Sequence, residues 1–310
     1  MKVIKNANLH AAKKAKNDEF YTMLTDIEKE MIHYREHFRD KVIFLNCDDD
    51  NKSNFWKFFE LNMNFLGVKK LIATHYDEKA PTYKVEIFKN EEGLFTEKTT
   101  KLSGNGDFRS PECVAILDEC DIVITNPPFS LFREFINLLV EKEKKFLVVG
   151  SLNAITYKEI FPLIQDNKLW LGVNNGAKTY KVPEDFEGKH DVVNGEKFVT
   201  LGNTGWFTNL NHHIRNTEIH LFERYSEEKY PSYSNYEAIE VSKVAEIPMD
   251  YAEVMGVPIT FLTKYNPLQF DIIDINPHFF TVVTKGLPKP SQLKLEGKKD
   301  PYARILIKRK

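Results

Sequence analysis

Blocks of apolar and polar residues alternate along the first half of the chain and predict helices and short buried strands in turn. Continuous apolar runs between polar residues predict strands at "KVIFLN", "KKLIATHY", "DIVIT" and "FLVVG". Apolar residues at helical spacing predict helices over 21–38, "SNFWKFFELNMNFLG" and "SLFREFINLLVEKEKK". The second of these helices has Ser53 or Asn54 as its N-cap and Gly67 at its end. This rhythm predicts an α/β fold with a doubly wound, mostly parallel, Rossmann-like sheet.

Two departures from this rhythm shape the predicted organisation. "TYKVEIF" and "LFTEKTTKL", separated by the turn-like "KNEEG", predict a hairpin inserted before the third core strand. Beyond about residue 165, segments such as "KFVTLGNTGWFTNL" and "VPITFLTKYNPLQF" are interrupted by Asn, Gly, Pro and Tyr. We therefore expect a core over 1–165, followed over 166–310 by the remainder of the core sheet and a more irregular, β-rich region.

Composition and charge restrict the class of protein. The chain has 310 residues, of which 42% are hydrophobic and 28% charged, enough for one large core or two modest ones. Neither a signal peptide nor the roughly 18 apolar residues of a membrane span is present, so we predict a cytoplasmic protein that does not contact a membrane. Three cysteines without metal-ligand spacing indicate reduced thiols and no metal site.

Basic residues are concentrated at both ends of a chain whose net charge is only −2. Residues 285–310 contain nine Lys and Arg residues against two acidic residues, and the first sixteen residues contain five lysines and no acid. Such a distribution fits phosphate contacts with a nucleic acid. It equally fits a solvated surface with a frayed tail, and charge alone leaves both interpretations open.

The most specific chemistry follows the predicted strand "DIVIT", where the chain continues as Asn126, Pro127, Pro128 and Phe129. Ligands of doubly wound sheets bind beyond the carboxyl ends of the strands. The two prolines fix the backbone and lack N–H groups, which leaves the carbonyl oxygens of this turn without local partners. These oxygens and the Asn126 side chain suit an amino group with two hydrogens, while Phe129 can stack on the flat ring that carries it. Holding both N–H bonds would free the nitrogen lone pair to attack an electrophile in line.

"NPPF" after an apolar strand resembles the catalytic signature of amino methyltransferases, the S-adenosylmethionine-dependent enzymes that methylate adenine N6 in DNA. Nearly the whole chain resembles the EcoRI-type adenine methylase family, in the segments "KNDEFYT", "NCDDDNKSNFWKFF", "LIATHY", "GNGDFRSPEC", "NPPFSLFREF", "LNAITYKEIF", "WFTNL" and "GVPITFLTKYNPLQF". The resemblance implies that Asn126 and the Pro127 carbonyl accept from the adenine amino group and that Phe129 stacks on the base. No strong general base is needed, because the electrophile is a positively charged sulfonium.

The same resemblance implies binding residues for the cofactor S-adenosylmethionine. "DEFYT" resembles an N-terminal cofactor motif that places Phe20, Tyr21 and Thr22 near the methionine part, although Phe20 and Tyr21 also fit core packing at a helix start. "GDF" resembles a motif in which Asp107 binds the cofactor adenine and Phe108 flanks it. Without the family, "SGNGDF" fits an ordinary loop equally well.

Two strand exits depart from the usual methyltransferase pattern. The exit of "VIFLN" has no glycine and instead offers Asn46, Cys47 and Asp48 to the cofactor, while "DDDN" also fits a solvated acidic turn. Which of the three contacts the cofactor stays open. An acidic residue that binds the ribose hydroxyls is expected at the end of the second strand. The nearest candidate is Asp77, one position later than usual, and Tyr76 is the alternative.

The cofactor and catalytic motifs all precede residue 130, so target recognition is expected in the C-terminal region. Chemistry on a base in duplex DNA requires the adenine to be flipped out of the stack. A second stacking surface opposite Phe129 is expected at Trp206 or Phe207, for which a core role is an equal alternative.

The sequence therefore predicts a site-specific DNA adenine-N6 methyltransferase that acts on double-stranded DNA, with 1–165 as the catalytic core and 166–310 holding the recognition region and basic tail. We expect the modification arm of a restriction system, paired in function with a restriction endonuclease but without a stable complex. Alternatives are a methyltransferase of cytosine N4, RNA adenine or protein glutamine, or a DNA-binding relative without catalysis.

Overall fold

The computed structural model describes residues 20–50, 53–77, 81–184, 186–276, 293–297, 301 and 303–310. The chain divides into two compact units, Met1–Leu152 with Asn174–Leu210, and Asn153–Val173 with Asn211–Lys310. The boundary predicted after residue 165 falls inside the segment Asn153–Val173, so it does not coincide with a boundary between the units. The assignment of target recognition to 166–310 stays a prediction.

The strands and helices are numbered in chain order over the described residues. The strands are β1 (Tyr21–Thr22), β2 (Val42–Leu45), β3 (Lys70–Thr74), β4 (Tyr83–Lys89), β5 (Phe95–Lys101), β6 (Ile122–Thr125), β7 (Lys145–Ser151), β8 (Trp170–Leu171), β9 (Gly176–Lys181), β10 (Asp191–Val193), β11 (Glu196–Thr208), β12 (Ile239–Glu240), β13 (Met255–Pro258), β14 (Phe270–Asn276) and β15 (Arg304–Arg309). The α-helices are α1 (Leu24–Met31), α2 (Arg35–Phe38), α3 (Asn54–Leu66), α4 (Pro111–Glu119), α5 (Phe132–Glu141), α6 (Phe161–Gln165) and α7 (His213–Asn216).

The first unit is built on a sheet with the strand order β1-β9-β11-β7-β6-β2-β3-β4-β5. Its four central strands β7, β6, β2 and β3 are parallel, which confirms the predicted α/β class with a parallel core. The flanking strands are antiparallel. β4 and β5 form the predicted hairpin, and β4 returns from β3 without an intervening helix, a connection compatible only with antiparallel pairing. Parallelism is therefore confined to the centre of the sheet.

The helix α3 begins and ends as its sequence predicts. The Ser53 hydroxyl caps it by accepting hydrogen bonds from the backbone N–H groups of Phe55 (3.0 Å) and Trp56 (3.3 Å). Gly67 ends it with a φ of +68°, the left-handed conformation that favours glycine at this position. Phe55, Trp56 and residues at helical spacing beyond them pack into the core.

The helix predicted over 21–38 is wrong at its start and is interrupted. Tyr21 and Thr22 form β1, which pairs with Lys181 and Tyr180 of β9, because pairing with a distant strand overrides the local helical spacing. The helical part consists of α1, a 3-10 turn over Ile32–Tyr34, and α2. This pairing attaches the segment that carries Phe20 to the central sheet.

The second unit contains a sheet with the order β12-β13-β15-β14. Arg304 on β15 forms a hydrogen-bonded ion pair with the buried Glu240 of β12 (Nη2 to Oε1, 2.6 Å), and the Tyr233 hydroxyl also donates to Glu240. Lys308 and Lys310 likewise pair with acidic residues. These basic residues of the C-terminal region are therefore paired within the unit, whereas residues 1–19, 285–292, 298–300 and 302 of the basic ends lie outside the described residues.

No helix in the described part of the chain combines the length and the apolar character needed to cross a bilayer.

Candidate active site

The predicted strand exits meet at one edge of the first unit's sheet. β2, β3 and β6 are neighbours and parallel, and Phe44 of β2 pairs with both Ile72 and Val123. Because parallel strands end at the same edge, the residues after β2, β3 and β6 lie side by side. The candidate active site is therefore assembled from Asn46 to Asp48, His75 to Asp77, and Asn126 to Phe129.

Asn126 is held in a single orientation directly after β6. Its Nδ2 donates a hydrogen bond to the backbone carbonyl oxygen of Phe20, which fixes the direction of the side-chain amide. Its Oδ1 is buried and has no hydrogen-bond partner among the described residues. A buried carbonyl oxygen without a partner is costly by about 1–3 kcal/mol, so it marks a place where a ligand can donate.

Phe129 lies beside Phe20 in a group of aromatic rings. The ring centroids of Phe129 and Phe20 are 5.5 Å apart at an interplanar angle of 35°, and Phe20 also contacts Tyr180 (5.8 Å) and Phe186 (6.2 Å) edge-on. Both Phe20 and Phe129 are half-buried. Phe129 therefore keeps part of its surface available to a planar ligand next to Asn126.

Asp48 is a buried carboxylate at the exit of β2. Its Oδ1 accepts from the Ser53 hydroxyl (2.6 Å) and its Oδ2 accepts from the Thr125 hydroxyl. Burial is the largest influence on this group and raises its pKa to about 6, against the opposing effect of the two hydroxyl donors. Asp48 thus connects the exit of β2 with the N-terminus of α3 and the end of β6.

Asn46 and Cys47 precede Asp48 at the same strand exit. The Nδ2 of Asn46 is buried and lacks a partner in the described part of the chain. Burial is also the main reason that the pKa of the Cys47 thiol is raised well above its ordinary value, so Cys47 is a neutral thiol at physiological pH. Of the three candidates here, Asn46 has the clearest unused hydrogen-bonding capacity.

The carboxylate of Asp107 is held in a fixed position by two hydrogen bonds from Arg109. Arg109 donates from Nε to Oδ1 (2.9 Å) and from Nη2 to Oδ2 (2.7 Å), while its Nη1 donates to Glu134 (2.8 Å). These bonds lower the pKa of Asp107, which remains an ionised acceptor. Phe108 is buried against Phe135 at a centroid distance of 5.1 Å, so it packs in the core as well as flanking the loop.

The loop that carries Asp107 packs tightly on the exit of β3 at Gly106. Its φ is +77°, and a Cβ there would lie 1.9 Å from the His75 carbonyl oxygen and 2.7 Å from Thr82 Cγ2. The backbone N–H of Asp77 donates to the Asn105 carbonyl (3.0 Å) in the same contact. Glycine is therefore required next to the predicted cofactor residue Asp107.

We expect Gly106→Ala to lower the free energy of unfolding and to weaken cofactor binding at least tenfold, because the loop must move away from His75. Gly93→Ala is the matched control, since Gly93 has a φ of +78° with nothing within 4 Å of its Cβ position, and should lose only about 1–2 kcal/mol of conformational energy. Urea unfolding and calorimetric titration with S-adenosylmethionine measure both effects. Equal losses in the two variants would show that the close approach is unimportant.

Tyr76 and Asp77 are exposed, so both candidates for the ribose hydroxyls are accessible from solvent. Nearby, ligand atoms of Asp49, Asp50 and His75 lie within 4.8 Å of one another. Asp50 accepts from the Tyr83 hydroxyl (2.9 Å), and His75 lies 3.3 Å from the Thr82 hydroxyl. This cluster is thus part of a protein hydrogen-bond network, and the sequence prediction of no metal site stays a prediction.

Trp206 and Phe207 lie in the core, where neither ring has a free surface for a flipped base. Both are fully buried in β11; Trp206 contacts Phe55 edge-on (5.9 Å) and Phe207 contacts Phe132 (4.9 Å). Successive strand residues point to opposite faces of the sheet, and both faces are covered here. The structure therefore agrees with the core alternative for both residues, and base stacking by either of them stays a prediction.

Several residues that position the candidate site were not predicted to belong to it. Three of them each donate a hydrogen bond to a predicted site residue. Thr125 donates to Asp48, Asn54 donates to the Thr22 carbonyl, and Arg109 donates to Asp107. Arg109 follows Asp107 by two positions and Thr125 directly precedes Asn126, so proximity to a motif was the available signal. Tyr180 and Phe186 come from the segment that returns to the first unit after residue 173, where no pattern indicated the site.

Comparison with known proteins identifies the class of this arrangement. A family described as "Adenine-specific methyltransferase EcoRI" matches residues 8–310. The chain belongs to this family. It is 46% identical to the Type II methyltransferase M.EcoRI of Escherichia coli over 98% of this chain and 97% of that protein. It is 39% identical to M.MpnI of Mycoplasma pneumoniae, over 96% and 97% of the two chains, and 39% identical to M.MgeORF184P of Mycoplasma genitalium, over 97% and 98%. No solved structure matches the chain.

Membership of the EcoRI methylase family confirms the resemblance inferred from the motifs. Methyltransferases in general take their methyl group from S-adenosylmethionine. The site holds buried polar atoms that lack partners among the described residues: Thr22 Oγ1 and Asn46 Nδ2 on the side predicted for this cofactor, and Asn126 Oδ1 in the predicted catalytic turn. S-adenosylmethionine and an incoming amino group both carry hydrogen-bond donors, and the cofactor also carries acceptors, so these atoms fit the pair of ligands.

Proposed function

We propose that this protein transfers a methyl group from S-adenosylmethionine to N6 of a flipped adenine within a specific sequence of double-stranded DNA. The observation that carries the proposal is the buried, unpartnered Oδ1 of Asn126, fixed by the bond from Nδ2 to the Phe20 carbonyl, in a chain of the adenine-specific family. This oxygen would accept a hydrogen bond from the amino group.

Asn126, Pro127, Pro128 and Phe129 act on the target adenine in this proposal. Asn126 Oδ1 and the Pro127 carbonyl accept the two N–H bonds, which directs the nitrogen lone pair away from the ring. Pro128 fixes the turn, and the half-buried Phe129 stacks on the base. The proton leaves after the methyl group has arrived, so the site needs no strong base; consistent with this, Cys47 is held as a neutral thiol.

When bound, S-adenosylmethionine supplies a methyl group on a positively charged sulfur. Phe20, Tyr21 and Thr22 would hold its methionine part, with Thr22 Oγ1 available for a hydrogen bond. Asn46 would contribute a donor at the exit of β2, and Asp77 or Tyr76 an acceptor for the ribose at the exit of β3. Asp107, kept ionised by Arg109, would accept from the adenine amino group of the cofactor, with Phe108 beside it.

The biological role follows from the relatives. M.EcoRI, M.MpnI and M.MgeORF184P are named Type II methyltransferases, which supports the modification arm of a restriction system for this chain. A cognate endonuclease would recognise the same DNA sequence separately, without a stable complex. In this proposal residues of 166–310 recognise the DNA sequence, and the basic ends lie near the phosphates. The protein acts in the cytoplasm.

The direct test incubates the protein with labelled S-adenosylmethionine and duplex DNA, followed by nucleoside analysis. We expect label in N6-methyladenine, and single-molecule sequencing of DNA from expressing cells should report one modified sequence. Label in N4-methylcytosine, in RNA or in protein would favour the other substrates instead. If calorimetry detects no binding of S-adenosylmethionine, the protein is a DNA-binding relative without catalysis.

A further inference from the structure

We propose that Asp48 is a positioning residue that holds Asn126 in its reactive orientation, rather than a ligand of the cofactor. The proposal rests on the proposed function. Each carboxylate oxygen of Asp48 already has a protein donor, the Ser53 hydroxyl on Oδ1 (2.6 Å) and the Thr125 hydroxyl on Oδ2. The side chain is only 8% exposed, which leaves little surface for a direct contact with a ligand.

Two series of contacts, which we call arms, lead from Asp48 to Asn126. The first arm runs through Thr125 and ends next to the reacting atoms. Thr125 is the last residue of β6 and is fully buried, and Asn126 is its neighbour in the chain. The bond from Thr125 to Asp48 restrains the end of β6 against the exit of β2, whose backbone is in turn held by the Asp48 N–H donating to the Thr74 carbonyl (3.1 Å). The backbone from which Asn126 projects is thus fixed against the exit of β2, and through Asp48 to the end of β3.

The second arm reaches the other partner of Asn126. Ser53 donates to Asp48 while its oxygen accepts from the first turn of α3, so the position of this helix N-terminus depends on Asp48. The next residue, Asn54, donates from Nδ2 to the Thr22 carbonyl (2.8 Å). Two residues earlier, the Phe20 carbonyl accepts from Asn126 Nδ2.

The two arms form a closed ring of contacts from Asn126 through Thr125, Asp48, Ser53 and Asn54 to the 20–22 segment and back to Asn126. A ring of this kind restricts the amide of Asn126 from two sides. Asp48 is the member that accepts from both arms, so a change in its hydrogen-bonding capacity is transmitted to both. Misplacement of a catalytic group by even a fraction of an ångström slows the chemical step more than it weakens cofactor binding.

The charge of Asp48 decides how many bonds it can accept. The groups that face it are the neutral hydroxyls of Ser53 and Thr125, the neutral thiol of Cys47, and Asp49, whose negative charge adds to the effect of burial. With a pKa of about 6, Asp48 is ionised above that pH and accepts from both hydroxyls. Below it, one oxygen carries a proton and becomes a donor, so it accepts only weakly from its hydroxyl. The Ser53 oxygen already accepts from two N–H groups and cannot also take this proton, so protonation weakens or reverses one of the two hydrogen bonds of Asp48.

The test compares the wild type with Asp48→Asn, which keeps the shape but replaces one acceptor by a donor and does not titrate. The matched control is Asp118→Asn, an exposed carboxylate on α4 that pairs with Lys142. Single-turnover methylation of the DNA sequence identified by sequencing, and calorimetric binding of S-adenosylmethionine, are measured from pH 5 to pH 8.

We expect the wild-type single-turnover rate to fall below about pH 6, and the same fall in Asp118→Asn. Asp48→Asn should be about tenfold slower at pH 7.5, show no fall between pH 7 and pH 5, and bind the cofactor within threefold of the wild type. A variant that keeps the wild-type rate, or the wild-type pH profile, would overturn the proposal. A loss of cofactor affinity as large as the loss of rate would make Asp48 a cofactor ligand instead.

A second pair of variants keeps the proposal testable if Asp48→Asn does not fold. Thr125→Val removes one donor to Asp48 at constant shape and should slow the single-turnover step with cofactor binding intact, whereas Thr125→Ser, which retains the hydroxyl, should lose less. Equal rates in the two variants would overturn the proposal. A wild type that transfers no methyl group to duplex DNA would instead contradict the proposed function and not the role of Asp48.

Discussion

Asn126→Ala is expected to lower the single-turnover rate of adenine methylation by on the order of 10²–10³-fold, the loss typical of removing one preorganised polar contact from a reacting group. The variant loses the buried Oδ1 that accepts from the amino group and the Nδ2 that bonds to the Phe20 carbonyl. A filter assay with labelled S-adenosylmethionine and enzyme in excess over DNA measures the rate of the chemical step.

The cofactor affinity and a control substitution show whether this loss is specific. Calorimetry should give Asn126→Ala an affinity for S-adenosylmethionine close to that of the wild type, because the amide faces the substrate. Asn64→Ala, on the exposed side of α3, should retain the wild-type rate. A full rate in Asn126→Ala would contradict the proposed role of the "NPPF" turn.

The parts of the fold that follow from short stretches of sequence were predicted correctly. The parallel strands are continuous apolar runs, and α3 begins after Ser53 and ends at Gly67 as the sequence predicts. The turn from Asn126 to Phe129 is placed by its own prolines and by the strand before it. Local patterns are sufficient here because the energies that decide these features act between residues close together in the chain.

The contacts that orient the site depend on residues distant in sequence and could not be predicted. Asn126 and Phe20 are 106 positions apart, and Thr125 and Asp48 are 77 positions apart. The pairing of β1 with β9, which overrides the helical pattern at Tyr21, is equally remote. The motifs predict which residues form the candidate site, whereas the hydrogen bonds among them could be seen only once the arrangement of the strands was known.

Trp206 illustrates a different limit, because an aromatic ring at a strand end has the same sequence signature whether it packs or binds. The pattern "GWFTNL" lies on a strand with both faces covered, so alternation does not separate a core side from an exposed side. Pairing of Trp206 with Val149 and of Phe207 with Val148 puts both rings beside β7, at the border of the parallel part of the sheet. Burial in the fold, and not residue type, decides between the two roles.

Trp206→Ala is therefore expected to lower the free energy of unfolding by about 3–5 kcal/mol, as for other large-to-small substitutions in a core. Phe65→Ala is the control in the same unit, since Phe65 is 66% exposed on α3 with Arg35 over its ring (4.3 Å), and should lose no more than about 1 kcal/mol in urea unfolding. Trp206→Phe, which preserves most of the packing, should keep the fluorescence increase of 2-aminopurine placed at the target adenine. A stable Trp206→Ala variant that loses this fluorescence increase would return Trp206 to the base-stacking role.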